Sequence, residues 1–181
     1  PENYSVYSEK YFTYNDIRQP NRNRLLWRDP SVDGLKTGHT KEAGYCLVAS
    51  AKRDEMRLVA VVMGTKSENA RAQEVQKLLN YGFRYYETHT LFTAGQSLTD
   101  SQVWGGDKDN VRLGLADSAV VTVPRGSKSS LETVMDIDSV IKAPISAGQE
   151  LGRVRVTLNG EEVLSRPVVA LDSVEEGGFF K

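Results

Sequence analysis

The sequence is short of nearly everything that would announce a chemistry directly. One cysteine in 181 residues excludes a disulfide framework and a thiolate metal cluster. Cys46 sits inside the strand-like run YCLVAS and reads as a small buried apolar side chain. The two histidines, His39 and His89, stand fifty residues apart, without the close spacing of a metal site, so no cofactor is expected. No apolar run approaches the length that spans a bilayer, and no signal peptide is visible. The chain begins at Pro1 rather than Met, from which a processed or incomplete chain is expected. An excess of one charge is lacking too: the net charge is −1 and the pI about 6.2, which supplies no field for nucleic acid. What remains, at 39% hydrophobic and 26% charged residues, is an ordinary globular composition with enough length for one large domain or two small ones.

Along the chain, Pro1-Glu2-Asn3 resembles a helix opening. Tyr4, Tyr7 and Tyr11 recur at spacings of three and four, which predicts a short amphipathic helix. NDIRQPNRNR is polar, carries Pro20 and reads as loop. VDGLKTG follows as a short edge-like strand. YCLVASAKR and MRLVAVVMG, joined by a tight turn, are near-continuously apolar, the pattern of a sheet covered on both faces. Thr65 with Glu68 three residues on predicts a capping box. Ala70, Val75, Leu78, Leu79, Phe83 and Tyr86 then carry a helical stripe to about Glu87. Near residue 90 the character changes to short alternating runs (AVVTVPRG, LETVMDI, RVRVTLNGEEVLSRPVVAL), with Asn159-Gly160 as a type I′ hairpin signal. The expectation is an α+β chain, with a sheet-and-helix domain over residues 1–89 and an all-β sandwich or small barrel over residues 90–181.

One triplet carries chemistry. Lys36-Thr37-Gly38, in VDGLKTGHT, is a motif of the serine enzymes that react with penicillin, alongside S-x-x-K and S-x-N. Around it a local basic cluster gathers: Arg18, Arg22, Arg24, Arg28, Lys36 and Lys41 face only Asp29 and Asp33, a net of +4. That cluster reads either as a solvated loop or as a seat for a small anion. The other two strings occur in the wrong order. Ser67-Glu68-Asn69 follows the triplet at a helix start, where both residue types are common. Ser139-Val140-Ile141-Lys142 lies in β-rich surroundings with Pro144 two residues on, whereas the chemistry needs Ser and Lys on one helical face. Neither is taken as catalytic, so the nucleophile is expected to be absent from this chain. Asp33 is expected to anchor the start of the strand by turn hydrogen bonds.

The stretch IRQPNRNRLLWRDPSVDGLKTGHTKEAGYCLVASA resembles the D-alanyl-D-alanine carboxypeptidases, the low-molecular-mass penicillin-binding proteins of the type-5 and type-6 group. The likeness rests on N-R-N-x-L-L-W at Asn21 to Trp27, V-D-G before the triplet, K-T-G-H-T, and A-G-Y-x-L-V-A-S at Ala43 to Ser50. It runs on through MRLVAVVMG and LLNYGFRYYET to EEGGFFK, over essentially the whole chain but only the C-terminal portion of the family's length. The resemblance implies that residues 1–89 are the C-terminal part of a penicillin-recognising, serine transpeptidase-like catalytic domain, and residues 90–181 an all-β C-terminal domain. It implies removal of the terminal D-alanine of peptidoglycan stem pentapeptides through an acyl-enzyme, and acylation by β-lactams.

By the same resemblance Lys36 places an ammonium beside the substrate carboxylate, Thr37 offers it a hydroxyl, and Gly38 lets substrate lie along the strand edge. His39 either lines the cleft or is structural, and Arg22 is a second carboxylate ligand or a surface arginine. The nucleophile and the missing N-terminal half would lie upstream, and the first unit is expected to expose apolar faces without that half. A periplasmic location on the outer face of the inner membrane is implied, held by a C-terminal amphipathic helix beyond EEGGFFK. Two rivals stand beside it. A class A β-lactamase would finish soon after the helix ending near Glu87, and the ninety β-rich residues beyond count against it. A non-catalytic envelope binding or scaffold module would make the triplet incidental.

Overall fold

The computed structural model describes residues 3–178, so the helix opening expected at Pro1-Glu2 and the last three residues of EEGGFFK lie outside the described residues. Two compact units divide between Glu87 and Thr88.

In the first unit a 3-10 turn at Tyr4–Ser8 precedes strands β1 (Tyr11–Tyr14) and β2 (Ile17–Pro20), the four-residue helix α1 (Leu25–Arg28), strands β3 (Val32–Thr40), β4 (Gly44–Arg53) and β5 (Met56–Thr65), and helix α2 (Glu68–Tyr85). The amphipathic helix expected through Tyr11 is therefore only a single 3-10 turn, and Tyr11 is already strand. Nor is NDIRQP a loop. Asn15 and Asp16 both take positive φ, 47° and 61°, the backbone of a type I′ hairpin, and β1 pairs with β2 from Tyr11↔Pro20 to Tyr14↔Ile17. Pro20 is tolerated because it ends an edge strand.

β3, β4 and β5 form an antiparallel sheet in that order, with Leu47, Ala49, Ala51, Met56 and Ala60 turned into one core with Ala72, Val75, Leu79 and Phe83 of α2. The helix stripe is thus shifted from the one expected: Ala72 is buried, Leu78 is half exposed, and Tyr86 begins a strand. Gly82 keeps the helix close, since a Cβ there would press on the Leu58 side chain. The cap is Ser67, whose hydroxyl oxygen accepts from the Ala70 amide at 3.1 Å. Thr65 is not the cap; still in β5, it donates to the Tyr45 carbonyl at 2.9 Å. On the opposite face β5 presents Val59, Val61 and Met63 uncovered.

Strand β6 (Tyr86–Phe92) begins two residues before the division, and the second unit continues with β7 (Ser97–Trp104), β8 (Asn110–Gly114), β9 (Ala119–Pro124), β10 (Leu131–Ile137), β11 (Ile141–Lys142), β12 (Glu150–Leu158) and β13 (Glu161–Ala170). A six-stranded sheet in the order β10-β12-β13-β8-β7-β11 and a two-stranded sheet β6-β9 enclose one apolar core, a β-sandwich. Strict alternation makes it: Ala119, Val121 and Val123 of β9 are buried while Val120, Thr122 and Pro124 are exposed. Asn159 and Gly160, at φ 53° and 84°, turn β12 into β13 as the sequence predicts. Gly152 sits at a bulge where a Cβ would meet the Asp136 carbonyl oxygen. Among the described residues no helix is long and apolar enough to cross a membrane.

Candidate functional site

β3 is the edge strand of its sheet, so among the described residues the backbone of the K-T-G run faces outward on one side with no partner strand. Beside it lies an open depression of about 590 Å³ lined by Arg22, Lys36, Thr37, Gly38, His39, Thr40, Tyr45, Glu68 and Arg71. All five residues singled out from the sequence share it: Arg22 from the segment before α1, and Lys36, Thr37, Gly38 and His39 from β3.

The two asparagines around Arg22 explain why it stands there. Asn23 is buried, its amide donates to the Gly34 carbonyl at 2.9 Å, and its oxygen accepts from the Leu25 N–H at 3.2 Å to start α1. Asn21 donates to the Glu9 carbonyl at 3.0 Å and accepts from the Asn23 N–H at 2.9 Å. The N-R-N string therefore pins backbone with its outer members and leaves the middle guanidinium exposed. Among the described residues Arg22 makes no ion pair. The Lys36 ammonium donates to the Thr37 carbonyl at 2.7 Å, a contact that a ligand carboxylate can replace. The His39 ring lies 3.9 Å from that of Tyr45. At Gly38 a Cβ would come no nearer than 3.8 Å to Cys46, so the missing side chain opens space rather than relieving a clash.

Arg71 was not singled out from the sequence. Only 3% exposed, its guanidinium donates to the Gly38 carbonyl at 3.2 Å and to the Arg22 carbonyl at 3.3 Å, and lies 5.6 Å from the Tyr45 ring centroid. One buried cation thus ties the K-T-G strand to the Arg22 segment. The signal was present: Arg71, Val75, Leu79 and Phe83 recur every fourth residue on the buried face of α2, so an arginine occupies a core position.

The first turn of α2 is otherwise spent on structure. Ser67 caps, Glu68 pairs with Arg24 at 2.8 Å, and Asn69 accepts from Arg28 at 2.7 Å. The Ser67-Glu68-Asn69 string is thereby consumed in holding helix ends together. Ser139 precedes β11 in irregular chain and Lys142 is in that strand, so the pair shares no helical face. Asp33 accepts from Arg57 at 2.9 Å and from the Tyr4 hydroxyl at 3.0 Å. Burial pushes its carboxyl up, but those hydrogen bonds and the guanidinium charge outweigh it and hold Asp33 below the usual carboxylate range. Its anchoring role is structural, through a distant arginine rather than through turn bonds.

On the other face of the K-T-G strand a smaller hollow of about 340 Å³ is lined by Cys46, Val48, Val61 and Met63. Cys46 is half-buried there rather than fully buried, its thiol donating to the Ala43 carbonyl at 3.3 Å. The polar depression combines two exposed cations, a hydroxyl and a bare strand edge, a set suited to a peptide ending in a carboxylate.

Comparison with known proteins gives this geometry its context. Residues 1–67 match the family described as D-alanyl-D-alanine carboxypeptidase, and residues 86–176 match the penicillin-binding protein 5 C-terminal domain. D-alanyl-D-alanine carboxypeptidase DacC of Escherichia coli (strain K12) is 46% identical over 182 residues, 99% of this chain and 46% of the relative. DacA of Haemophilus influenzae is 42% identical over 183 residues, 99% of this chain and 47% of the relative. The crystal structure of penicillin binding protein 5 from Haemophilus influenzae superposes with a TM-score of 0.87 at 42% identity, covering 97% of this chain and 52% of that one. The chain spans about half the length of the curated relatives it matches.

Proposed function

This chain belongs to the D-alanyl-D-alanine carboxypeptidases of the penicillin-binding protein 5 type, and from that premise we propose that its first unit is one wall of a serine carboxypeptidase active site. In this reading the terminal carboxylate of a peptidoglycan pentapeptide sits between the Lys36 ammonium and the Thr37 hydroxyl, with Arg22 as a second cation. The peptide lies along β3, where Gly38 leaves room for its backbone. His39 lines the mouth beside Tyr45. A serine hydroxyl from outside this sequence, its proton taken by a lysine three residues on, attacks the penultimate carbonyl. The bond to the last D-alanine breaks as its nitrogen takes that proton from the lysine, and water then hydrolyses the acyl-serine ester, which returns a proton to the serine oxygen. A β-lactam presents the same pairing of carboxylate and acylatable carbonyl, and acylates the same serine. The all-β unit would set spacing or meet an envelope partner. The location proposed is the periplasm, peripheral to the inner membrane.

The observation that carries this reading is the convergence of Arg22, Lys36, Thr37, Gly38 and His39 on one depression. The test is intact mass under denaturing conditions after exposure to excess penicillin. The complete polypeptide that carries this sequence should gain one adduct, and residues 1–181 expressed by themselves should gain none. An adduct on residues 1–181 would overturn the exclusion of Ser139 as a nucleophile. A complete polypeptide that stays unmodified would overturn the carboxypeptidase reading in favour of a binding or scaffold module.

A further inference from the structure

The basic cluster that surrounds the K-T-G motif is only partly used by the fold. Arg24 is paired with Glu68 and Arg28 is bonded to Asn69, while Lys36 is engaged with its neighbour's carbonyl. Besides Lys41, the two arginines Arg18 and Arg22 are left, and among the described residues neither arginine meets a carboxylate. Both line a second open depression, of about 540 Å³, walled by Tyr11, Trp27, Arg24 and Glu68. It shares Arg22 and Glu68 with the K-T-G depression, so the two adjoin. Its three arginines against one glutamate give a net of +2.

Its wall is organised. The Arg18 guanidinium lies 3.8 Å from the centroid of the Tyr11 ring, and that ring meets Trp27 edge-on at 5.9 Å. Stacking uses the flat face of a guanidinium and leaves its in-plane N–H donors available, in the fork that matches a carboxylate. The hairpin turn at Asn15-Asp16 sets this up, because it places Tyr11 and Arg18 on one two-stranded ribbon.

We propose that this annex, built on Arg18, Tyr11 and Trp27, binds a second, upstream carboxylate of the peptide seated in the K-T-G depression, which it adjoins through Arg22 and Glu68. The proposal rests on the carboxypeptidase reading for its neighbour and on its own residues for its charge. Arg18 supplies the anion contact, and the two rings supply apolar backing for the peptide.

Two measurements on the complete polypeptide test it. The first compares kcat/KM for two acyl-D-Ala-D-Ala peptides that differ only in an upstream glutamate or glutamine. The acidic peptide should be preferred about fivefold, the scale of one partly exposed ion pair. Arg18→Gln should bring the ratio to near one while leaving the glutamine peptide unaffected. The second titrates a short acidic peptide lacking D-Ala-D-Ala and follows Trp27 fluorescence, with Trp27→Phe as the control for Trp104. A fluorescence change lost in Arg18→Gln, with no preference in turnover, would overturn the proposal and assign the annex to a separate peptide. Equal turnover of both substrates together with no Arg18-dependent fluorescence change would overturn the annex. If neither peptide is turned over, the carboxypeptidase reading fails and the titration alone decides the annex.

Discussion

In the sandwich, Val121 and Val123 of β9 share a closed core with Val154, Val156 and Val168 of the six-stranded sheet. In the first unit, β5 buries Met56 and Ala60 against α2 but leaves Val59, Val61 and Met63 at 59%, 56% and 71% exposure. The β1-β2 ribbon adds Phe12, Tyr14 and Ile17, each about as exposed. The same building material, short strands rich in valine, is therefore self-sufficient in one unit and one-sided in the other. A sheet with two covered faces needs a second layer for each. The sandwich supplies both of its own layers, whereas the first unit supplies α2 for one face only.

The broadest way to break this comparison is to separate the units. Residues 88–181 by themselves should unfold in one cooperative thermal transition, while residues 1–87 by themselves should bind a hydrophobic dye strongly and unfold without a sharp transition. Cooperative unfolding of residues 1–87 without dye binding would show that α2 alone is cover enough. A narrower test contrasts two ion pairs. In the first unit Asp29 is buried and accepts from Ser31, Gln76 and Arg53. Burial raises its pKa, but the hydrogen bonds and Arg53 together bring it from 3.8 down to about 2. A depressed folded-state pKa means that the stabilisation is present above the unfolded value and disappears as pH falls through the folded one. Asp29→Asn should then cost about 2 kcal/mol at neutral pH, and the difference from wild type should vanish as pH drops from about 4 toward about 2. In the sandwich the exposed Arg112–Asp172 pair, at 2.7 Å, should leave the melting temperature unmoved when Asp172→Asn is made. The smallest effect sharpens the contrast: Val59→Ser should change stability by no more than about 0.5 kcal/mol yet reduce dye binding. A large loss of stability would place Val59 in a packed layer after all.

How much of this could be read from residues follows the strength of local rules. Asn159-Gly160 and the alternation of β9 and β12 are legible because turn chemistry and period two act over a few neighbours. The β1-β2 ribbon was not, because Asn-Asp is a weaker turn signal than Asn-Gly and Pro20 argues for loop. The cap was misplaced by two residues because Thr65 and Ser67 are both acceptable, and only the path of β5 decides between them. The K-T-G strand and Arg22 were legible from motif. Arg71 is marked locally only by its place on the buried stripe of α2; its partners, the backbone carbonyls of Arg22 and Gly38, lie forty-nine and thirty-three positions away, so the stripe shows a buried arginine but not what it holds. The bare face of β5 agrees with the exposed apolar faces expected of the first unit, whereas the covering of both faces read from continuous apolarity does not hold, because such a run tells what a strand can bury, not what arrives to cover it.

The opening turn of α2 takes on a further meaning when its bonds are followed together. Ser67 holds the helix start, Glu68 and Asn69 hold the arginines flanking Trp27, and Arg71 holds two sides of the polar depression. Helix ends fray at a free energy well below that of global unfolding. The site is thus fastened to the part of the helix that loosens first on warming. The shape of the polar depression and the fold as a whole should then have different melting points, with the lower one set by four residues at the head of a helix whose tail remains packed.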